Sequence, residues 1–303
     1  FDLTGFCRHM EIHETWRDRT LELAWAAGLF DGEGCTATAL SIRRPDAVRI
    51  YASVSQQSRS AEIVPSVLSR FQRAVGGLGY IGAPYFDDRS GTFAHKWRAE
   101  SFIEAQAVIA LLWLNLGAVK RTQATGAFRR FHSQCETNRP RYRTPTRPRR
   151  FPLSAPGPAA SADEQARAWA AGLFDGEGST ELHTRRTPQR TWFSLRSRVS
   201  QCEANGVPAV LQRFRTIVGC GRIDGPTSGD GYENAYKWDA GADETLRVLP
   251  LIWPWLGTVK RVQAIDVIKS VDTLPMLRRH PWRDEARRFT AQYTETSGSW
   301  PGL

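Results

Sequence analysis

Along residues 21–30 the apolar positions Leu21, Ala24, Trp25, Gly28 and Leu29 follow helical spacing, and Ala26, Ala27 and Phe30 make the opposite face apolar too. The pattern predicts a helix buried on every side and stopped by Gly32 and Gly34. The period then shortens to two. Val48, Ile50, Ala52 and Val54 alternate with Arg49, Tyr51, Ser53 and Ser55, which predicts a strand with one face on a core and the other on solvent or a ligand. An amphipathic helix is expected over 61–75, a hairpin over 79–100 around Asp87-Asp-Arg-Ser-Gly91, and helices over 102–116 and 120–132. The order is α-β-β-α-β-β-α with one further helix.

The same order begins again in the second half. Trp25-Ala-Ala-Gly-Leu-Phe-Asp-Gly-Glu-Gly34 recurs residue for residue from Trp169 to Gly178, 144 positions on. Val54-Ser-Gln56 then matches Val199-Ser-Gln201, Lys96-Trp97 matches Lys237-Trp238, and Val119-Lys-Arg121 matches Val259-Lys-Arg261. Phe193, Leu195 and Val199 alternate with Ser194, Arg196, Arg198 and Ser200, so the second polar strand face is also basic. Two long repeats point to a fused pseudo-dimer rather than a solenoid. The expected divisions are an extension over 1–20, a domain over 21–132, a linker over 133–162, a second domain over 163–290 and a tail over 291–303. The linker is rich in Arg, Pro, Ala and Ser, which predicts an extended, semi-rigid connector.

Composition narrows the class of partner. The chain of 303 residues carries a formal charge of +10, which favours an anionic partner. The excess is unevenly placed: six Arg and no acid lie between Arg139 and Arg150, and five Arg and no acid between His183 and Cys202. Five scattered cysteines without a CxxC pair give no zinc spacing and suggest reduced thiols in a soluble, intracellular, non-secreted protein. The six His likewise lack metal spacing, and Trp97, Trp238, Trp113 and Trp253 are expected in the core.

The candidate chemistry sits at the ends of the two buried helices. Acids at a helix C-terminus cost about 0.3–1 kcal/mol each, yet both copies end in Asp-Gly-Glu-Gly. A local rule broken twice in the same way points to function. If the two helices lie side by side, Glu33 and Glu177 meet, and a hard divalent cation would supply the countercharge. Asp31 and Asp175 are read as structural turn residues.

Ala-Ala-Gly-Leu-Phe-Asp-Gly-Glu-Gly resembles the signature of the LAGLIDADG homing endonucleases, and its duplication resembles their monomeric branch. The resemblance implies an α+β fold of two tandem repeats in pseudo-twofold arrangement, with curved antiparallel sheet saddles and helices on the opposite face. It implies a site-specific double-strand DNA endonuclease, acting as a monomer in intron homing, that leaves short 3′ overhangs. Glu33 and Glu177, helped by the carbonyls of Gly32 and Gly176, would hold Mg²⁺, with Mn²⁺ or Ca²⁺ able to substitute for binding. Gln56 and Gln201 would stand near the scissile phosphates, although strand parity places both on the core side. Lys120 and Lys260 would polarise water or stabilise the phosphate; alternatively they cap the preceding turn.

A β-ribbon fits the major groove of a duplex. The outward positions expected on double-stranded DNA are Ala37, Ala39, Ser41, Arg49, Tyr51, Ser53 and Arg98 in the first repeat, with Lys96 on phosphate. In the second they are Glu181, His183, Arg185, Ser194, Arg196, Arg198 and Ser200, with Lys237 on phosphate. Because these residues differ between repeats, the two half-sites are expected to differ. Rival readings are an intron RNA maturase, a nuclease-dead DNA-binding regulator on the same scaffold, and a hydrolase using the two Glu as general acid and base.

Overall fold

A computed structural model describes residues 3–41, 44–88, 90–137, 160–186, 191–203, 206–227, 234–272 and 282–294. The chain forms two compact units, Phe1–Trp169 and Ala170–Leu303.

The first unit opens on helix α1 (Leu3–Glu33), so the backbone of most of the expected extension is continuous with the motif helix. Every residue from Ala24 to Asp31 is buried, as the two-faced apolar pattern requires. Gly32 does not end the helix. The helix runs through Glu33, and Gly34 opens strand β1 (Gly34–Ser41) without an intervening turn. A Cβ at Gly34 would collide with the ring and carbonyl of Phe30, so this abrupt exit admits glycine alone.

Strand β2 (Arg44–Ser58) returns antiparallel to β1, and helix α2 (Ser66–Ala74) follows. The expected start at residue 61 moves to Ser66 because Pro65 takes the N-cap, and a residue preceding proline is held out of helical conformation. The expected hairpin is interrupted: β3 (Tyr80–Ile81) and β4 (Tyr85–Asp87) both pair with β5 (Thr92–Ala99). Helices α3 (Phe102–Leu112) and α4 (Ala118–Thr137) close the unit. Ser101 caps α3 by accepting a hydrogen bond from the Glu104 N–H. The sheet is open, in order β1-β2-β5-β3.

Helix α5 (Ala162–Glu177) carries the second motif, and the division between units falls within it. The second sheet, β6-β7-β9-β8, comprises β6 (Gly178–Arg186), β7 (Thr191–Cys202), β8 (Arg222–Thr227) and β9 (Ala235–Ala240), all antiparallel. Helices α6 (Ala209–Val218), α7 (Ala242–Ile252), α8 (Thr258–Asp272) and α9 (Arg283–Thr294) complete it. Of the expected linker, residues 138–159 lie outside the described residues, as do tail positions 295–303. No helix among the described residues is long and apolar enough to cross a membrane.

The two units build the same core. Phe30 stacks on Phe71, which meets Trp97 edge-on, and Phe174, Phe214 and Trp238 repeat the arrangement. The fully buried Trp97 and Trp238 donate their indole N–H groups to the carbonyls of Leu78 and Cys220. Trp253 is buried beneath Phe289 and Tyr293 of α9. Trp113, expected in the core, is instead 39% exposed, with the Arg121 guanidinium near its ring. Among the described residues the first unit has no counterpart of α9 to cover it.

Candidate active site and polar sheet face

Three side chains converge at the end of each motif helix. In the first unit the Gln56 amide donates to Glu33 Oε1 at 2.9 Å, and Lys120 Nζ donates to the Gly34 carbonyl at 2.6 Å. In the second, Gln201 donates to Glu177 Oε1 at 2.6 Å and Lys260 to the Gly178 carbonyl at 2.5 Å. Strand parity places Gln56 and Gln201 on the core side of their sheets. There, it is parity that brings them to the carboxylate, because the helix end lies over that same face. Gln56 follows Val54 and Ala52 along one face of β2, and Gln201 follows Val199 and Ser197 along β7.

The lysines complete the local electrostatics. A helix C-terminus disfavours Glu33, and an ammonium on the carbonyl that leaves the helix offsets that cost. Lys120 thus grips the chain just past the end of α1.

Asp31 and Asp175 are not turn residues. Each is 5% exposed and lies within its helix. Both Asp31 oxygens accept from the Gly117 N–H, at 2.9 and 2.8 Å, and Oδ2 also accepts from Trp169 Nε1 at 2.8 Å. Asp175 takes the Gly257 N–H in the same way, at 2.9 and 2.8 Å. Gly117 directly precedes α4, so the carboxylate sits at that helix's positive end. It also fixes the first turn of α4, and with it Lys120, against the tip of α1. A Cβ on Gly117 would come within 3.1 Å of those oxygens. The repeated Leu-Gly pairs at 116–117 and 256–257 were the available signal for this contact.

Gly32 and Gly176 occupy the last turns of their helices. Glu carboxylates, Gln side-chain carbonyls and backbone carbonyls are hard oxygen donors, suited to Mg²⁺, Mn²⁺ or Ca²⁺ rather than zinc. Among the described residues no three His, Cys, Asp or Glu gather as a metal cage.

The opposite face of the first sheet carries the expected outward residues. Ala39 opposes Arg49, Ala37 opposes Tyr51, and Ser55 opposes Lys96. Ala39, Arg49, Tyr51, Lys96, Arg98 and Glu100 line a shallow groove of about 190 Å³. Ser53 points the same way but is 1% exposed, between Cys35 and Arg98. The Ser41 and Arg185 side chains lie outside the described residues.

In the second sheet Glu181 opposes Arg196, His183 opposes Ser194, and Ser200 opposes Lys237. Sequence reasoning named Glu181 but missed Asp239, the acid set among these bases. Asp239 takes Arg198 Nε at 2.8 Å, and Arg222 and Arg196 approach it at 3.7 and 4.0 Å. Glu181 takes Arg198 Nη1 at 2.6 Å.

No family model matches the chain, and no curated protein matches it. Solved structures do. The LAGLIDADG homing endonuclease I-GzeII in complex with DNA target aligns with a TM-score of 0.53 and 16% identity over 90% of this chain and 97% of that one. I-SmaMI bound to uncleaved DNA target in the presence of calcium ions aligns with 0.53 and 16% over 91% and 99%. The meganuclease I-SmaMI on uncleavable DNA with a TTGT central four gives 0.55 and 15% over 92% and 99%. At such identities the likeness establishes the fold.

Proposed function

We propose that this chain, which has the two-motif LAGLIDADG homing-endonuclease fold, is a site-specific, divalent-metal-dependent DNA endonuclease. The observation that carries the reading is the twofold recurrence of one set: Glu held by Gln, beside Lys held on the carbonyl that leaves the helix. Two equivalent sets suit the two strands of a duplex.

Glu33 and Glu177, with the Gly32 and Gly176 carbonyls, would hold divalent cations, which activate water and stabilise the departing oxygen of a phosphodiester. Gln56 and Gln201 orient those carboxylates. An ammonium fixed at the helix tip places positive charge where the phosphate gains negative charge, the task of Lys120 and Lys260. Arg49, Tyr51, Lys96 and Arg98 in one unit, and His183, Ser194, Arg196, Arg198 and Lys237 in the other, face a long duplex from the major groove. The products would carry short 3′ overhangs.

The test is incubation of the purified chain with Mg²⁺ and a plasmid library of randomised duplex sites, followed by sequencing of the cut ends. Recurrent ends at one long, asymmetric site with a 3′ stagger support the reading. Sequence-selective retention of duplexes without any cut end would contradict it.

A further inference from the structure

Carboxylates on a surface meant for DNA oppose the phosphate charge, so their presence there calls for a reason. In the second sheet a single cross-strand row runs Ser179, Arg198, Asp239, Arg222. The matching row of the first sheet runs Cys35, Ser53, Arg98, Tyr80. Three positions of that row therefore differ in kind: Arg98 is replaced by Asp239, and Tyr80 by Arg222. Ser53 is likewise replaced by Arg198.

On the second face acids and bases are interleaved. Among the described side chains Arg196, Arg198, Arg222 and Lys237 stand against Glu181, Asp224 and Asp239. An interleaved arrangement forgoes part of the general phosphate attraction that follows net positive charge. It is well suited to holding donors still.

Arg198 is the most tightly held. Its Nε is on Asp239 and its Nη1 on Glu181, and the Asp239 carboxylate keeps the guanidinium charged above the ordinary arginine range. A guanidinium has five N–H donors, so three remain after these two bonds, in a plane that two carboxylates fix. Asp239 is only 9% exposed, so its place is set by the sheet rather than by solvent. Arg222 is anchored separately on Asp224 at 2.8 Å.

We propose that Asp239 is the positioning residue of the second unit's reading face, fixing Arg198, with Arg196 and Arg222 drawn to the same carboxylate, as an array that selects a guanine-containing step. Paired arginine donors on guanine O6 and N7 are the contact such an array provides. The inference rests on the DNA-binding reading above. In the first unit Arg98 takes the place of the buried acid and has only the more exposed Glu100 beside it, at 3.4 Å, a looser hold.

The experiment is binding selection of the full chain, in Ca²⁺ buffer, from a randomised duplex library, for the wild type, Asp239→Asn, Arg198→Lys and the first-unit reference Arg49→Ala. Asp239→Asn removes the acid, and Arg198→Lys keeps the charge while removing the planar fork. Both should lower discrimination about tenfold at the same one or two guanine positions. The half of the site that responds to Arg49→Ala should stay unchanged. With the Asp239 charge removed, the face gains one positive charge, which should steepen the salt dependence by about 0.9 in log–log slope.

Unchanged preferences in both variants would overturn the role of Asp239 while leaving DNA recognition standing. A loss spread evenly over both halves would mark a purely structural acid and overturn it too. Failure of the wild type to enrich any sequence would remove the DNA reading and this inference with it.

Discussion

Gln56 donates its amide to Glu33 Oε1 at 2.9 Å, across 23 residues of sequence, and Gln201 does the same to Glu177 at 2.6 Å. The contact joins the end of the motif helix to the strand that crosses beneath it. It fixes the direction in which each carboxylate faces.

Gln56→Ala should therefore weaken cleavage more than folding. Loss of a group that orients a metal-binding residue costs about 10–100-fold in metal affinity or activity. The lost hydrogen bond itself is worth about 1 kcal/mol. Mg²⁺ titrations of cleavage rate, set beside urea unfolding, separate the two effects. Equal cleavage at every Mg²⁺ concentration would contradict the orienting role.

The repeated architecture was legible because the motif recurs without a change, and burial of Ala24 to Phe30 follows from a segment apolar on both faces. What parity could not convey was which structure lies over the core face at the strand's end. Gln56 was expected on the core side, and it is there, but the core at that point ends in the Glu33 carboxylate.

Asp31→Ala should act on stability. Its buried carboxylate accepts from the Gly117 N–H and the Trp169 indole. Hydrogen bonds to a charged group are worth about 1.5–3 kcal/mol, so unfolding free energy should fall by at least about 2 kcal/mol. A midpoint in urea unchanged from the wild type would show that the contact contributes nothing. Reading Asp31 as a turn residue failed because the helix continues one residue past Gly32, which keeps Asp31 inside it.

Thr36 and Thr180 offer a paired comparison. Thr36 is 1% exposed, its hydroxyl has no hydrogen-bond partner, and it faces Ala52 across the strands. Thr180 faces Ser197, with the hydroxyls 3.3 Å apart. Thr36→Val should be neutral or stabilising, since it removes an unsatisfied buried group. Thr180→Val should cost about 1–2 kcal/mol, because it leaves Ser197 without its partner. Thermal unfolding of both variants checks the sign, and equal destabilisation would contradict the assignment.

The acids among the arginines of the second sheet were partly within reach of the sequence. Aligning Lys96-Trp97 on Lys237-Trp238 sets Arg98 against Asp239, a reversal of charge at one repeat position. Its meaning depends on register: Asp239 lies directly across from both Arg198 and Arg222, which no spacing along the chain announces. Burial of Trp253 likewise depends on α9, far along the chain, whereas its counterpart Trp113 is left exposed.

The most direct measurement is double-strand cleavage of a selected site in Mg²⁺ by the wild type, Glu33→Gln and Glu177→Gln, with binding measured in parallel. Each variant is expected to lose double-strand cleavage while binding DNA as tightly or more tightly, since a negative charge near phosphate is removed. Undiminished cutting by either variant, or wild-type cutting that persists in excess EDTA, would contradict the assignment of the two glutamates.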